Sequence, residues 1–156
     1  MLDPNVVEVD SQGLIRPKAS GQTAILVQHQ GRVVAVNVKV GDIQQPDPID
    51  FGTETIAALT RAGCSQGACH GSPQGKQGFR LSLLGYDPEL DLLTLVREAN
   101  QRRINVMDPE DSLVLRKGSG RTPHQGGVRF RRQDASYQTL LRWIAEGAPA
   151  STQTRK

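Results

Sequence analysis

The chain has 156 residues, of which 37% are hydrophobic, 22% charged and only 4% aromatic, with a formal net charge of +3. This describes an ordinary globular chain of one or one and a half domains, not a disordered or low-complexity one. No run approaches the ~18 apolar residues of a membrane-crossing helix, and basic residues without interleaved aromatics or a binding motif argue against nucleic acid.

Residues 1–45 read as β structure. NVVEVD, TAILVQ and RVVAVNVKV are rich in β-branched residues, and Val34, Val36, Val38 and Val40 recur at the two-residue period of a strand. Ser11-Gln12-Gly13, Ala19-Ser20-Gly21 and Gln30-Gly31 supply turns between them. His29 falls in this segment as an exposed strand or turn residue. A piece this short seldom builds its own core, so the expectation is that further strands lie upstream. No basic stretch followed by an apolar run, as a leader would show, opens the chain.

Gly41–Phe51 holds two prolines and three acidic residues and reads as a linker, with 46–51 as its core. Helices and loops follow. Thr53–Leu59 begins a short amphipathic helix running into Ala62-Gly63. Asp87-Pro88-Glu89 is a helix start, with Asp as cap and Pro in the first turn. Pro109–Leu115 suggests a third short helix, ended by Gly118. Asp134 opens the last helix, Tyr137, Leu140, Leu141 and Ile144 share a face, and Gly147 and Pro149 stop it. Charge is uneven: four basic and six acidic residues lie in 1–50, against fifteen and ten in 51–156. That excess fits a solvated face, partners for carboxylates, or a docking patch for an acidic partner.

The only two cysteines stand in Cys64-Ser-Gln-Gly-Ala-Cys69-His70-Gly71. Attaching a c-type haem takes two thiols that reach the two vinyl groups and an imidazole that meets the iron, and a His directly after the second Cys meets that need. The usual spacing is C-x-x-C-H, so this loop is two residues wider, with Ser65, Gly67 and Ala68 to absorb them. A disulfide, a zinc site and a Cys–His nucleophile are the competing readings. The zinc reading lacks the second Cys or His pair of a structural site, and a nucleophile needs no second Cys so placed.

Four stretches, AGCSQGACHGSPQGKQGFRLSLLGYDPELD, RRINVMDPEDSLVLRK, PHQGG and YQTLLRWIAEGAP, together resemble the planctomycete family of c-type cytochrome domains, whose widened C-x4-C-H spacing is the one seen here. The segment DSQGLIRPKASGQTAILVQHQG with the Val-rich strand after it is similar to the C-terminal half of a bacterial Ig-like domain. The resemblance implies a mainly α fold. A small cytochrome c-like helical domain would surround one haem over 52–150, preceded by a partial all-β Ig-like segment over 1–45 and followed by a tail at 151–156. It implies covalent haem c on Cys64 and Cys69, His70 as the proximal ligand, and His124, in a Pro-His-Gln-Gly-Gly element, as the distal one. Met107, or an open sixth position, is the alternative to His124.

Phe79, Leu81, Leu83 and Leu84 are expected to wall the pocket, Gly75 and Gly78 to make tight turns, and Arg80, Arg102 and Arg103 to meet the propionates or solvent. Trp143 either lines the haem edge or serves helix packing. The implied function is single-electron transfer to a redox partner protein or to other domains of a longer parent chain, rather than enzymatic turnover, in an exported periplasmic or cell-surface setting. Ligand binding or reduction at an open haem, and a haem-free disulfide or zinc domain, are the alternatives.

Overall fold

A computed structural model of the chain describes residues 3–11, 13–44 and 47–151. Gln12 of the first turn, Gln45 and Pro46 of the linker, and 152–156 of the tail lie outside the described residues. The chain divides into two compact units, Met1–Asp47 and Pro48–Lys156.

The first unit holds two two-stranded antiparallel sheets. β1 (Val7–Val9) pairs with β2 (Ile15–Pro17), and β3 (Gly21–His29) pairs with β4 (Arg32–Val40). Gln30 and Gly31 join β3 to β4 with φ of 47° and 76°, the left-handed pair that a two-residue hairpin requires. Thr23, Ile25 and Val27 stand opposite Val38, Val36 and Val34, so cross-strand partners put the apolar residues on one face. That face is not buried, since Val34 is 59% exposed and Val36 44%. Val7, the first residue of β1, and Val6 just before it are the buried hydrophobic residues of this unit among the described residues. His29 is exposed at the end of β3.

The second unit begins with a π-helical turn, Phe51–Thr55, capped by Asp50, whose carboxylate accepts from the Thr53 backbone N–H. It continues directly into α1 (Ile56–Arg61). α2 (Pro88–Val96) starts as the sequence predicts: Asp87 accepts from the Leu90 N–H, and Pro88 occupies the first turn, where a missing N–H costs nothing. α3 (Leu113–Gly118) follows a 3₁₀ turn at Pro109–Asp111. α4 (Ala135–Ala145) is the longest helix and ends before Gly147, which sits at φ 93°. Asp134 stands at its cap position, but its carboxylate accepts backwards from the Arg131 N–H and not from the helix.

The core lies where α1 crosses α4. Ile56, Ala58 and Leu59 of α1 share a buried cluster with Tyr137, Leu140 and Ile144 of α4, and Leu141 packs on its margin. Trp143 is fully buried, its ring 5.2 Å from that of Phe51, and its indole N–H donates to the Pro149 carbonyl at 2.9 Å. Trp143 therefore serves helix packing. Each large apolar side chain buried here contributes roughly 1.5–3 kcal/mol.

The expectation of a mainly α fold, a small cytochrome c-like helical domain preceded by a partial all-β Ig-like segment, does not hold. About 32% of residues are helical and 18% are in strands, in four short helices and two small sheets. Much of the strand content comes from the long β3–β4 hairpin. The helices stay short because left-handed backbone interrupts the segments between them, at Gly63, Gly75, Gln77, Gly78, Leu84 and the run Ala99–Gln101. Such positions end a helix wherever they fall.

Among the described residues no helix is long and apolar enough to cross a membrane.

Candidate functional site

One cavity of about 640 Å³ opens in the second unit, within the size range of small-molecule and cofactor sites. Cys64, Cys69, His70 and His124 all line it. The structure thus brings together the four residues that the sequence singles out, although 54 positions separate His70 from His124.

The loop carrying Cys64, Cys69 and His70 leaves α1 and folds back on itself. The Cys64 N–H donates to Leu59 O, the Cys69 N–H to Gln66 O, and the His70 N–H returns to Cys64 O at 3.0 Å. The two extra residues are taken up in the Gln66–Cys69 turn. Ser65 is not a pliable spacer: it is buried, with its hydroxyl 3.0 Å from that of Thr60. Gly71 lets the chain cross over itself, because a Cβ there would stand 2.0 Å from the Ser65 carbonyl oxygen. Sequence reasoning passed over Gly71, although its place directly after His70 was the available signal.

Both imidazoles are oriented by backbone. Nδ1 of His70 lies 2.9 Å from Phe79 O, and Nδ1 of His124 lies 3.0 Å from Gly127 O. A carbonyl oxygen can only accept, so in each neutral ring Nδ1 carries the proton and Nε2 keeps its lone pair. The two rings are 6.2 Å apart between centroids and within 4° of parallel. Burial is the main force holding His70 below the usual imidazole range. The Phe79 hydrogen bond opposes this, while the charges of His124, Arg103 and Lys117 reinforce it. A neutral ring is the form that ligates a metal.

The thiols are free. Burial pushes the Cys64 thiol up to about 11, with Arg129 partly offsetting the rise. A thiol so raised is a poor nucleophile at neutral pH. Among the described residues no group of three or more His, Cys, Asp or Glu side chains is placed to hold a metal ion.

No protein-family model, curated protein or solved structure matches this chain.

The remaining walls differ in part from expectation. Phe79 lines the cavity, its ring 4.4 Å from that of His70. Leu81 lies in the core instead, and Leu83 and Leu84 are 54% and 59% exposed. Leu59, Leu113 and Val114 supply the apolar wall. They escaped sequence reasoning because they sit in ordinary amphipathic stretches. Met107 is 91% exposed and lines no part of the cavity.

Lys76, Arg102, Arg103, Lys117 and Arg129 line it, with no carboxylate among the lining residues. Arg80 does not; its guanidinium donates to Pro73 O. Arg129 ties the two halves together, donating to Ala62 O at 2.7 Å, just before the cysteine loop, and to Gly126 O at 3.4 Å beside His124. Trp143 has no place in this site.

Proposed function

We propose that the second unit is a mono-haem c-type electron-transfer module, with haem bound through Cys64 and Cys69 and axially ligated by His70 and His124. The observation that carries this reading is the pair of parallel imidazoles 6.2 Å apart, each with Nδ1 engaged by a backbone carbonyl. With the two rings end to end, a metal at about 2.0–2.1 Å from each Nε2 would set the ring centroids about 6.3 Å apart. Two imidazoles alone make an incomplete metal site. An iron porphyrin brings its own four equatorial nitrogens, which fits a donor set of two histidines.

The other residues suit the same group. Both thiols border the cavity, Leu59, Leu113, Val114 and Phe79 give apolar surface to a macrocycle, and the lysines and arginines of the lining, with no carboxylate beside them, suit its two carboxylates. Haem supplies a one-electron ferric/ferrous couple. Two histidine ligands would leave no open position and would favour ferric iron relative to a Met/His pair. His70 and His124 would hold the iron, and their bonds to Phe79 O and Gly127 O raise imidazole basicity and fix ring orientation.

The resemblance to planctomycete c-type cytochrome domains supports the same reading. It extends to an exported, periplasmic or cell-surface setting and to a redox partner protein or neighbouring domain as electron donor or acceptor.

The test is a pyridine haemochrome spectrum with intact mass, on chain expressed in a host with cytochrome c maturation. The expected result is a mass gain of one haem and the α-band of two thioethers. A colourless chain, or a band showing fewer than two thioethers, refutes the assignment as stated.

A further inference from the structure

We propose that Arg103 is the positioning residue behind His70, fixing the imidazole through Phe79 and holding a buried positive charge that raises the reduction potential of the centre. The second half rests on the haem reading; the first does not.

Arg103 is only 5% exposed, and its guanidinium is committed in three directions. It donates to Thr94 O at 2.6 Å, within α2, and to Gly78 O at 2.5 Å, in the turn before Phe79. Its Cζ also stands 4.8 Å from the Phe79 ring centroid, within cation–π range. One cation thus holds the carbonyl before Phe79 and the Phe79 ring. Phe79 in turn supplies the carbonyl that accepts from His70 Nδ1 and a ring 4.4 Å from the imidazole. Those two ring distances place the guanidinium no more than about 9 Å from the imidazole centroid, near the Debye length of ~8 Å at physiological ionic strength.

Tying two carbonyls together does not require a charge. Burying a guanidinium has a desolvation cost, and the carboxylate it meets, Glu98, stands 3.7 Å away with a side chain 47% exposed. The compensation is weak. A net positive field therefore reaches the cavity, which Arg103 itself lines. Positive charge disfavours ferric iron, so this field opposes the low potential set by two imidazoles.

The experiment compares Arg103→Met, Arg103→Lys and Glu98→Gln in the full chain, matured with haem, by redox titration and by the solvent-exchange rate of the His70 Nδ1 proton. Arg103→Met is expected to lower the potential by at least a tenfold change in the reduction equilibrium, ~59 mV for one electron, and to speed exchange at least tenfold. Arg103→Lys keeps the charge but loses the fork, so exchange rises while the potential stays near wild type. Glu98→Gln removes a negative charge, and the potential rises.

Unchanged exchange in both Arg103 variants overturns the positioning role. A potential unmoved by Arg103→Met, or by Glu98→Gln where Arg103→Met does not fold, overturns the electrostatic one. Failure of the wild-type chain to take up haem refutes the haem reading and the potential-setting role together. The exchange rates, measured on the same chain, then still decide the positioning role.

Discussion

Replacing Gly75 by Ala tests whether the Phe79 carbonyl is what orients His70. Gly75 sits at φ 63°, and a Cβ there would stand 2.2 Å from Phe79 O and 2.8 Å from Arg80 Cα. Gly78, three residues on, has a similar φ of 72°, but nothing lies within 4 Å of its would-be Cβ. Ala at either position meets the left-handed penalty, roughly 1–2 kcal/mol. Only at position 75 must backbone also move, by most of an ångström, to restore an ordinary contact. Phe79 O is the acceptor for His70 Nδ1 at 2.9 Å, so that shift stretches or breaks the bond. Losing it leaves a part-buried imidazole N–H unpaired, about 1–3 kcal/mol.

The expected destabilisation is therefore about 1–2 kcal/mol for Gly78→Ala and about 2–5 kcal/mol for Gly75→Ala. Urea unfolding followed by the fluorescence of buried Trp143 measures both, and the Nδ1–H resonance of His70 reports the hydrogen bond directly. Equal losses in the two variants, with that resonance undisturbed, would show that Phe79 O is not the orienting group.

Further outcomes follow from the same geometry. In haem-loaded protein, His124→Ala opens the sixth position and converts a low-spin spectrum to one that binds added cyanide or carbon monoxide rapidly, whereas Met107→Ala leaves the spectrum unchanged; the reverse pattern would make Met107 the ligand. Without haem, Cys64 alkylates about a hundredfold more slowly at pH 8 than a thiol with the ordinary value of 9.0, because its thiolate forms only near pH 11; mass-resolved labelling checks this.

Asp91 is buried, and its carboxylate accepts from both the N–H and the hydroxyl of Ser82. Burial nevertheless outweighs those bonds and raises the carboxyl above its usual 3.8. A raised folded value means that the stabilising contribution is full below about pH 3.8 and is lost as pH rises through the folded value. The stability of wild type relative to Asp91→Asn should therefore decline from about pH 4 upward in parallel urea titrations; a flat difference would refute the assignment.

The sequence carried the helices well where chemistry punctuates them. Asp87-Pro88 marks the start of α2 and Gly147 the end of α4, because a missing N–H and a left-handed residue are local requirements visible in residue type. The convergence of His70 and His124 on one cavity was reached through motif and resemblance; no periodicity encodes it. The apolar wall was misplaced because Leu83 and Leu84 are hydrophobic and adjacent to the loop, yet Leu84 adopts φ 54° and turns the pair outward. A bulky residue in left-handed backbone has no signature in sequence. Ala99, Asn100 and Gln101 are tolerable helix formers that nonetheless take φ of 53–61°.

The short helices also explain how the site is built. A histidine on a long helix takes its orientation from the helix axis, whereas here both imidazoles stand in loops and need another reference. Each finds it in a backbone carbonyl further along the chain, Phe79 O nine residues after His70 and Gly127 O three residues after His124. Two arginines then fix those loops to the rest of the unit. Arg103 holds the Phe79 turn to α2, and Arg129 links Ala62, at the end of α1, to Gly126. Arg129 spans 67 residues in the chain with its bond to Ala62 O, so it sets the approach of the two imidazole-bearing loops. Removing Arg129 should therefore disturb the separation of the rings more than the orientation of either one, whereas removing Arg103 should disturb His70 alone.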